Sequence, residues 1–263
     1  MGCAQPAPDV EGELVVHVID LGDRSETVLA LRLEDGATRS LALPAPTGLP
    51  GGTRVRVRGL DDGRTIHAIS LEPLGGEARA LVAGTKKRDR TWAFVLVDTG
   101  GGVNITKAEA ESTIFGQDRL TIRGYYEEVS YGLQAIRGQV FGPIKVQVQG
   151  SLCDVNNMAD QVIQQAGGQI TEKFDQYLWY IGRTIGGCPW NGAAEQGRAA
   201  RPTQHSFFNA STLCSTLAQE PGHNFGMVHS SGLVCRDGGK AVSLPTSMAS
   251  ECGHIEYGNP FDP

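Results

Sequence analysis

Aromatic residues are confined to one part of this chain. Residues 1–80 contain no Phe, Tyr or Trp and no Lys, and every aromatic side chain lies from Trp92 onward. Aromatic rings dominate the buried area of most cores. A stretch without them beside a stretch that holds them all therefore reads as two modules, 1–78 and 79–263, with Glu72-Pro73-Leu74-Gly75-Gly76-Glu77 as the linker. The length of 263 residues agrees, because it exceeds a single domain of roughly 150.

In the first module, short β-branched or Leu-rich runs at 14–19, 28–33, 41–43, 54–58 and 66–71 are separated by Gly, Asp and Pro punctuation. Arg54-Val55-Arg56-Val57-Arg58 alternates strictly, as a strand with one wet face does. These runs predict a small all-β domain, an OB-like barrel or a sandwich. Without aromatic stacking platforms such a barrel is a poor ligand for single-stranded nucleic acid. The net charge of −6, from 23 basic and 29 acidic residues, has the wrong sign for polyanions in general. A structural or inhibitory pro-domain is the remaining expectation.

The second module mixes periodicities. Strands are expected at 92–97, 134–140, 144–148 and 177–181, and helices at 107–115, 120–129 and 154–166, the last capped by Asp154 and ended by Gly167-Gly168. This pattern predicts an α+β fold. No apolar run approaches the ~20 residues of a membrane-spanning helix. The six cysteines form no Cys-x-x-Cys pair, which disfavours a zinc ribbon or a thioredoxin-type site and suits disulfides. Disulfides imply an extracellular or secreted protein, and Met1-Gly2-Cys3 hints at a cell-surface lipoprotein. The expected pairs are Cys153 with Cys188 and Cys235 with Cys252, the second closing a Gly-containing loop at about 3 kcal/mol in the chain-entropy account. Asn104 and Asn209 each begin a glycosylation sequon, and Asn209-Ala210-Ser211 also reads as a helix cap. His17 and His67, in strand patterns, read as structural or solvated.

Chemistry concentrates in the helical run 212–228 and just beyond it: Gln219-Glu220-Pro221-Gly222-His223-Asn224-Phe225-Gly226-Met227-Val228-His229. Gln219 and His223 are one turn apart on one face, the spacing with which two side chains hold one ion. Gly226 permits a sharp helix end, so that His229 can return as a third ligand. Glu220 is then beside the ion without ligating it, where a general base belongs. Pro221 removes one helical hydrogen bond next to that base and predicts a kink.

This run resembles the long signature of the metzincin metallopeptidases, His-Glu-x-x-His-x-x-Gly-x-x-His, at Glu220, His223, Gly226 and His229, with Gln219 in the first ligand place. It is most similar to the gametolysin-like branch, which can use Gln there. Tyr125-Tyr126-Glu127-Glu128-Val129-Ser130-Tyr131-Gly132 looks like the family's upstream helix, and Ile255-Glu256-Tyr257-Gly258-Asn259-Pro260-Phe261-Asp262 like the segment leading to its Met-turn. The resemblance covers roughly residues 85–263. It implies a zinc ion held by Gln219, His223 and His229, Glu220 as catalytic base, and a secreted endopeptidase acting on extracellular or cell-wall proteins or glycoproteins. Met248, in Ser247-Met248-Ala249-Ser250, does not look like the Met-turn, so the chain is expected to stop just before it. The alternative expectation is an inactive metzincin-like module that binds protein or glycoprotein surfaces.

Overall fold

The computed structural model describes residues 9–21, 25–43, 47, 49–74, 88–182, 188–198, 202–227 and 229, with the backbone of 231–237, 240–242 and 251–256. The linker Gly75 to Glu77 and the Met248 region lie outside the described residues. The fold is mixed α+β and is dominated by one ten-stranded sheet.

The N-terminal strands are β1 (Asp9–Asp20), β2 (Ser25–Arg32), β3 (Thr38–Ala42), β4 (Arg54–Asp61) and β5 (Thr65–Pro73). They pair in a closed ring: β1 with β2, β2 with β3, β3 with β5, β5 with β4, and β4 back to β1. Only β3 and β5 run parallel among these pairs. The ring's interior is aliphatic, built on Leu14, Val16, Leu31, Leu41, Val55, Val57 and Ile66. Along β4 the arginines stay outside while Val55 and Val57 are fully buried, the result of the alternation in their sequence.

The C-terminal half continues the sheet. Its elements are β6 (Arg88–Asp98), α1 (Lys107–Phe115), α2 (Ile122–Val129), β7 (Gln134–Lys145), α3 (Val155–Val162) with a π-helical turn over 163–167, β8 (Gln176–Gly182), β9 (Gly192–Glu195), β10 (His205–Asn209) and α4 (Cys214–Asn224). The order is β7-β6-β8-β10-β9, with β9 antiparallel to β10 and the other neighbours parallel. Trp92, Phe94 and Leu96 of β6 face α1, α2 and α4, whereas Ala93, Val95 and Val97 face α3. A parallel strand covered on both faces reads as an unbroken apolar run for this reason.

Three local expectations need correction. The strand expected at 144–148 ends at Lys145 within β7. Beyond it the backbone of Gln147 and Gln149 exchanges hydrogen bonds with the side-chain amides of Gln165 and Gln161, at 2.7–3.0 Å, so helix side chains replace a neighbouring strand. Asn209 caps no helix: it ends β10, and its buried amide donates to the Trp190 carbonyl at 2.9 Å. That burial also removes it as a glycan acceptor. Asp154, by contrast, accepts from the Asn157 amide at 3.2 Å and starts α3.

Strands β11 (Ser231–Asp237), β12 (Lys240–Val242) and β13 (Glu251–Glu256) form a separate small sheet in the order β12-β11-β13. Cys153 and Cys188 are disulfide-bonded. The register of β11 and β13 sets Cys235 opposite Cys252. Peptide mapping under non-reducing conditions is expected to recover these two as a linked pair; free thiols at both positions would refute it. Among the described residues, no helix is long and apolar enough to cross a membrane.

Candidate metal centre

The last turn of α4 is closed by Gly226, at φ 89°, a conformation that glycine adopts without a Cβ penalty. The Gly226 amide bonds the His223 carbonyl at 2.9 Å and the Met227 amide bonds the Gly222 carbonyl at 3.0 Å, a Schellman ending. This reversal returns His229 toward His223, and their ring centroids are 4.8 Å apart at 82°. Pro221 lies inside α4 without ending it. Phe225 packs in the aromatic cluster with Trp92 and Tyr126, and Tyr126 donates its hydroxyl to the Ala218 carbonyl at 2.6 Å, which clamps α2 to α4.

Asn224 fixes the helix to the sheet. It is fully buried, accepts from Ser206 Oγ at 2.7 Å and Gln176 Nε2 at 3.2 Å, and donates to the carbonyls of Glu195 and His205 at 2.8 and 2.9 Å. One amide thus ties α4 to three strands.

At the centre, His223 Nδ1 lies 2.8 Å from the Met227 carbonyl. A carbonyl only accepts, so Nδ1 carries the proton and Nε2 presents its lone pair. His229 Nδ1 lies 3.1 Å from Ser25 Oγ. The Nε2 atoms of both rings are buried; that of His223 has no hydrogen-bond partner among the described residues, and that of His229 faces a carboxylate. Burial holds His223 below the usual histidine pKa, and the neutral form is the one that ligates a metal.

The structure adds a residue that the motif did not announce. Asp20, the last residue of β1, places Oδ1 3.0 Å from His229 Nε2, and its other oxygen accepts from Gln219 Nε2. Ligand atoms of Asp20, His223 and His229 all lie within 4.8 Å of one another, so this trio could hold a metal ion. Two neutral imidazoles and a carboxylate make a donor set suited to zinc. Gln219, the residue expected as first ligand, turns its amide group to Asp20 and meets the cluster through that carboxylate. Asp20 lies 199 residues from Gln219, and no spacing in the sequence links them.

Glu220 is fully buried, and neither carboxylate oxygen has a hydrogen-bond partner among the described residues. Burial first, and the neighbouring Asp20 carboxylate second, raise its pKa well above the ordinary value. Its place is made by Gly192: a Cβ there would come within 2.2 Å of Glu220 Oε1. Beside the cluster opens a largely apolar cleft of about 570 Å³, reached by Ile122, Tyr125, Tyr126, Ala218 and Met227 and bordered by His223 and His229.

The other histidines stand elsewhere. His17 is buried and bonded to Asn156 at 2.8 Å, and exposed His67 faces Asp62 at 3.5 Å. His205 accepts from Trp179 Nε1 at 3.1 Å and belongs to a buried polar cluster where β1 and β2 meet β9 and β10, around an Arg32–Glu195 ion pair. Burial pushes the His205 pKa down to about 4. Burial opposes the Glu195 carboxylate too, but His205, Arg32 and His17 outweigh it and hold its pKa below the ordinary value.

A histidine near 6.5 when unfolded and about 4 when folded is stabilising above pH 6.5, and that stability is lost as pH falls through the window between the two values. From pH 7 to pH 5 the metal-free protein is expected to lose about 2 kcal/mol through His205 alone. Urea titrations at the two pH values check this, and His205→Phe should flatten the difference.

Comparison with protein-family models, with curated proteins and with solved structures finds no match to this chain.

Proposed function

We propose that this chain is a secreted, zinc-dependent endopeptidase of the metzincin type, hydrolysing peptide bonds of extracellular proteins or glycoproteins. One observation carries the reading: the imidazoles of His223, in α4, and His229, just beyond it, converge with the Asp20 carboxylate, and a fully buried carboxyl, Glu220, lies one turn before His223 on the same helix. The residues present fit a zinc ion, with His223 and His229 as ligands and Gln219 or a carboxylate completing the set. When bound, zinc would polarise the scissile carbonyl and acidify the attacking water.

The chain's own residues supply the rest. Glu220 accepts a proton from the attacking water and passes it to the leaving amine. Met227, through its carbonyl, and Ser25 orient the two imidazoles, as outer partners of ligands do. The cleft beside the cluster receives an apolar side chain of the peptide. The closed ring of β1 to β5 is read as the OB-like barrel of a pro-domain, supported by its pairing order and aliphatic core.

The test is metal analysis of the purified chain together with hydrolysis of denatured casein. About one zinc per chain is expected. Hydrolysis should stop in a chelator and return with zinc, and His223→Ala should lose both metal and activity. Hydrolysis that persists in His223→Ala would remove this site from the reaction.

A further inference from the structure

The cleft beside the cluster is walled by α2 and α4, and both helices begin at its border. Thr121, the residue that caps α2, lines it together with Arg119 and Leu120, and so do Cys214 and Ser215, the first two residues of α4. Thr121 satisfies one backbone amide of α2, that of Gly124 at 3.1 Å, whereas no side chain among the described residues caps α4. Neither helix has an acidic residue in its first turn. The free amides at a helix start carry the positive end of the helix dipole and favour an anion within about one turn.

Arg119 adds a full charge to these two partial ones. It is exposed and forms no ion pair among the described residues. No carboxylate lines the cleft among the described residues, although the chain as a whole carries net −6; Asp20 and Glu220 are buried and are not part of the wall. Arg119 is therefore the one lining residue with a fixed charge. The remaining wall is largely apolar, and its Leu120, Tyr125 and Met227 are exposed. Against such a wall an ion pair is screened less than on open surface. His223 borders the same cleft, buried to 2% exposure and with Nε2 unpartnered among the described residues, so a molecule seated there lies against the candidate metal ligand.

We propose that this cleft reads a carboxylate as well as an apolar side chain: its preferred peptide carries an apolar residue with a carboxylate on the next residue or the one after, and Arg119, aided by the starts of α2 and α4, sets that preference. An extended peptide advances about 3.3 Å per residue, less than the reach of an Arg side chain, so either position can be held. The carboxylate comes from an Asp or Glu side chain or from the end of the peptide, and its chemistry at the rim is the same. A basic residue in that place is disfavoured, because it meets Arg119 with no acid in the wall to pair with. The proposal rests on the peptidase reading for what happens to the bound peptide, and it adds a substrate class to that site without changing the roles of Glu220 and the metal.

The test uses the full chain in its zinc form and N-acetylated peptides of one sequence, ending in Phe-Asp amide, in Phe-Asn amide, or in Phe-Asn with a free carboxylate. Dissociation constants are read by calorimetry in the Glu220→Gln variant, so that the peptide stays whole, and kcat/KM is read with the parent. At least one carboxylate peptide is expected to bind about fivefold tighter or more than the Phe-Asn amide, with kcat/KM in the same ratio, and the advantage should shrink as salt rises from about 0.05 to 0.5 M. An advantage confined to the Phe-Asp peptide assigns the grip to a side chain, and one confined to the free end assigns it to the chain terminus; either supports the proposal. Adding Arg119→Glu should abolish the advantage and favour a Phe-Lys amide peptide instead, an inversion that a merely structural role would not produce. Equal binding of all three peptides, or an advantage that survives Arg119→Glu, would overturn the proposal, and hydrolysis by the parent would leave the peptidase reading standing. Selective binding that Arg119→Glu removes, with no peptide cut by any form, would keep the carboxylate site and overturn the peptidase reading.

Discussion

Glu220→Gln is expected to lower peptide hydrolysis by about 10² or more, with zinc content and the unfolding midpoint nearly unchanged. Gln has the shape of Glu but cannot accept the proton, so only the transfer step is removed. Stability should not fall, because Gln fills the same volume and brings no charge into this fully buried position. The background for this comparison is the parent chain. Gly192→Ala is expected to reproduce the loss by a different route, since the new Cβ would meet Glu220 Oε1 at 2.2 Å and displace the carboxyl. Hydrolysis by Glu220→Gln equal to its background would remove the role assigned to this residue.

Asn224→Leu is expected to destabilise the chain by about 4 kcal/mol and to loosen zinc binding with it. The size follows from the number of partners abandoned. Ser206 and Gln176 lose their acceptor, and the carbonyls of Glu195 and His205 lose their donor, all in a site that admits no replacement from solvent. Because His223 precedes Asn224 on the same turn, slack in this anchor reaches the proposed metal ligand directly. Urea unfolding of the metal-free protein reads the first effect, and competition with a chromophoric chelator reads the second. A loss under about 1 kcal/mol would show that the network contributes little beyond what water supplies to the unfolded chain.

Local elements were legible wherever the pattern was short-ranged. The alternation of Arg54 to Arg58 placed β4, the capping residue Asp154 started α3, and the helix expected at 107–115 matches α1 (Lys107–Phe115). Gly226 announced the reversal that returns His229 toward His223, because only the backbone conformation at one residue is involved. The partition of aromatics has its counterpart in the packing: the ring of β1 to β5 is filled by aliphatic residues, and the large rings flank β6, β8 and β10. A strand expected at 144–148 failed because alternation reports a face and not a partner, and the amides of Gln161 and Gln165 took the backbone bonds that a strand would have made.

What the sequence by itself determined is therefore a part of the elements, without β9 to β13, and the histidine pair whose spacing is local. Tertiary structure alone decided that β1 lies on β9, that Asp20 joins His223 and His229, that Gln219 meets that carboxylate, and that Gly192 makes room for Glu220. Each of these joins residues far apart in the chain, and such pairings are selected by burial and hydrogen bonding across the assembled sheet, for which periodicity within a single segment carries no signal.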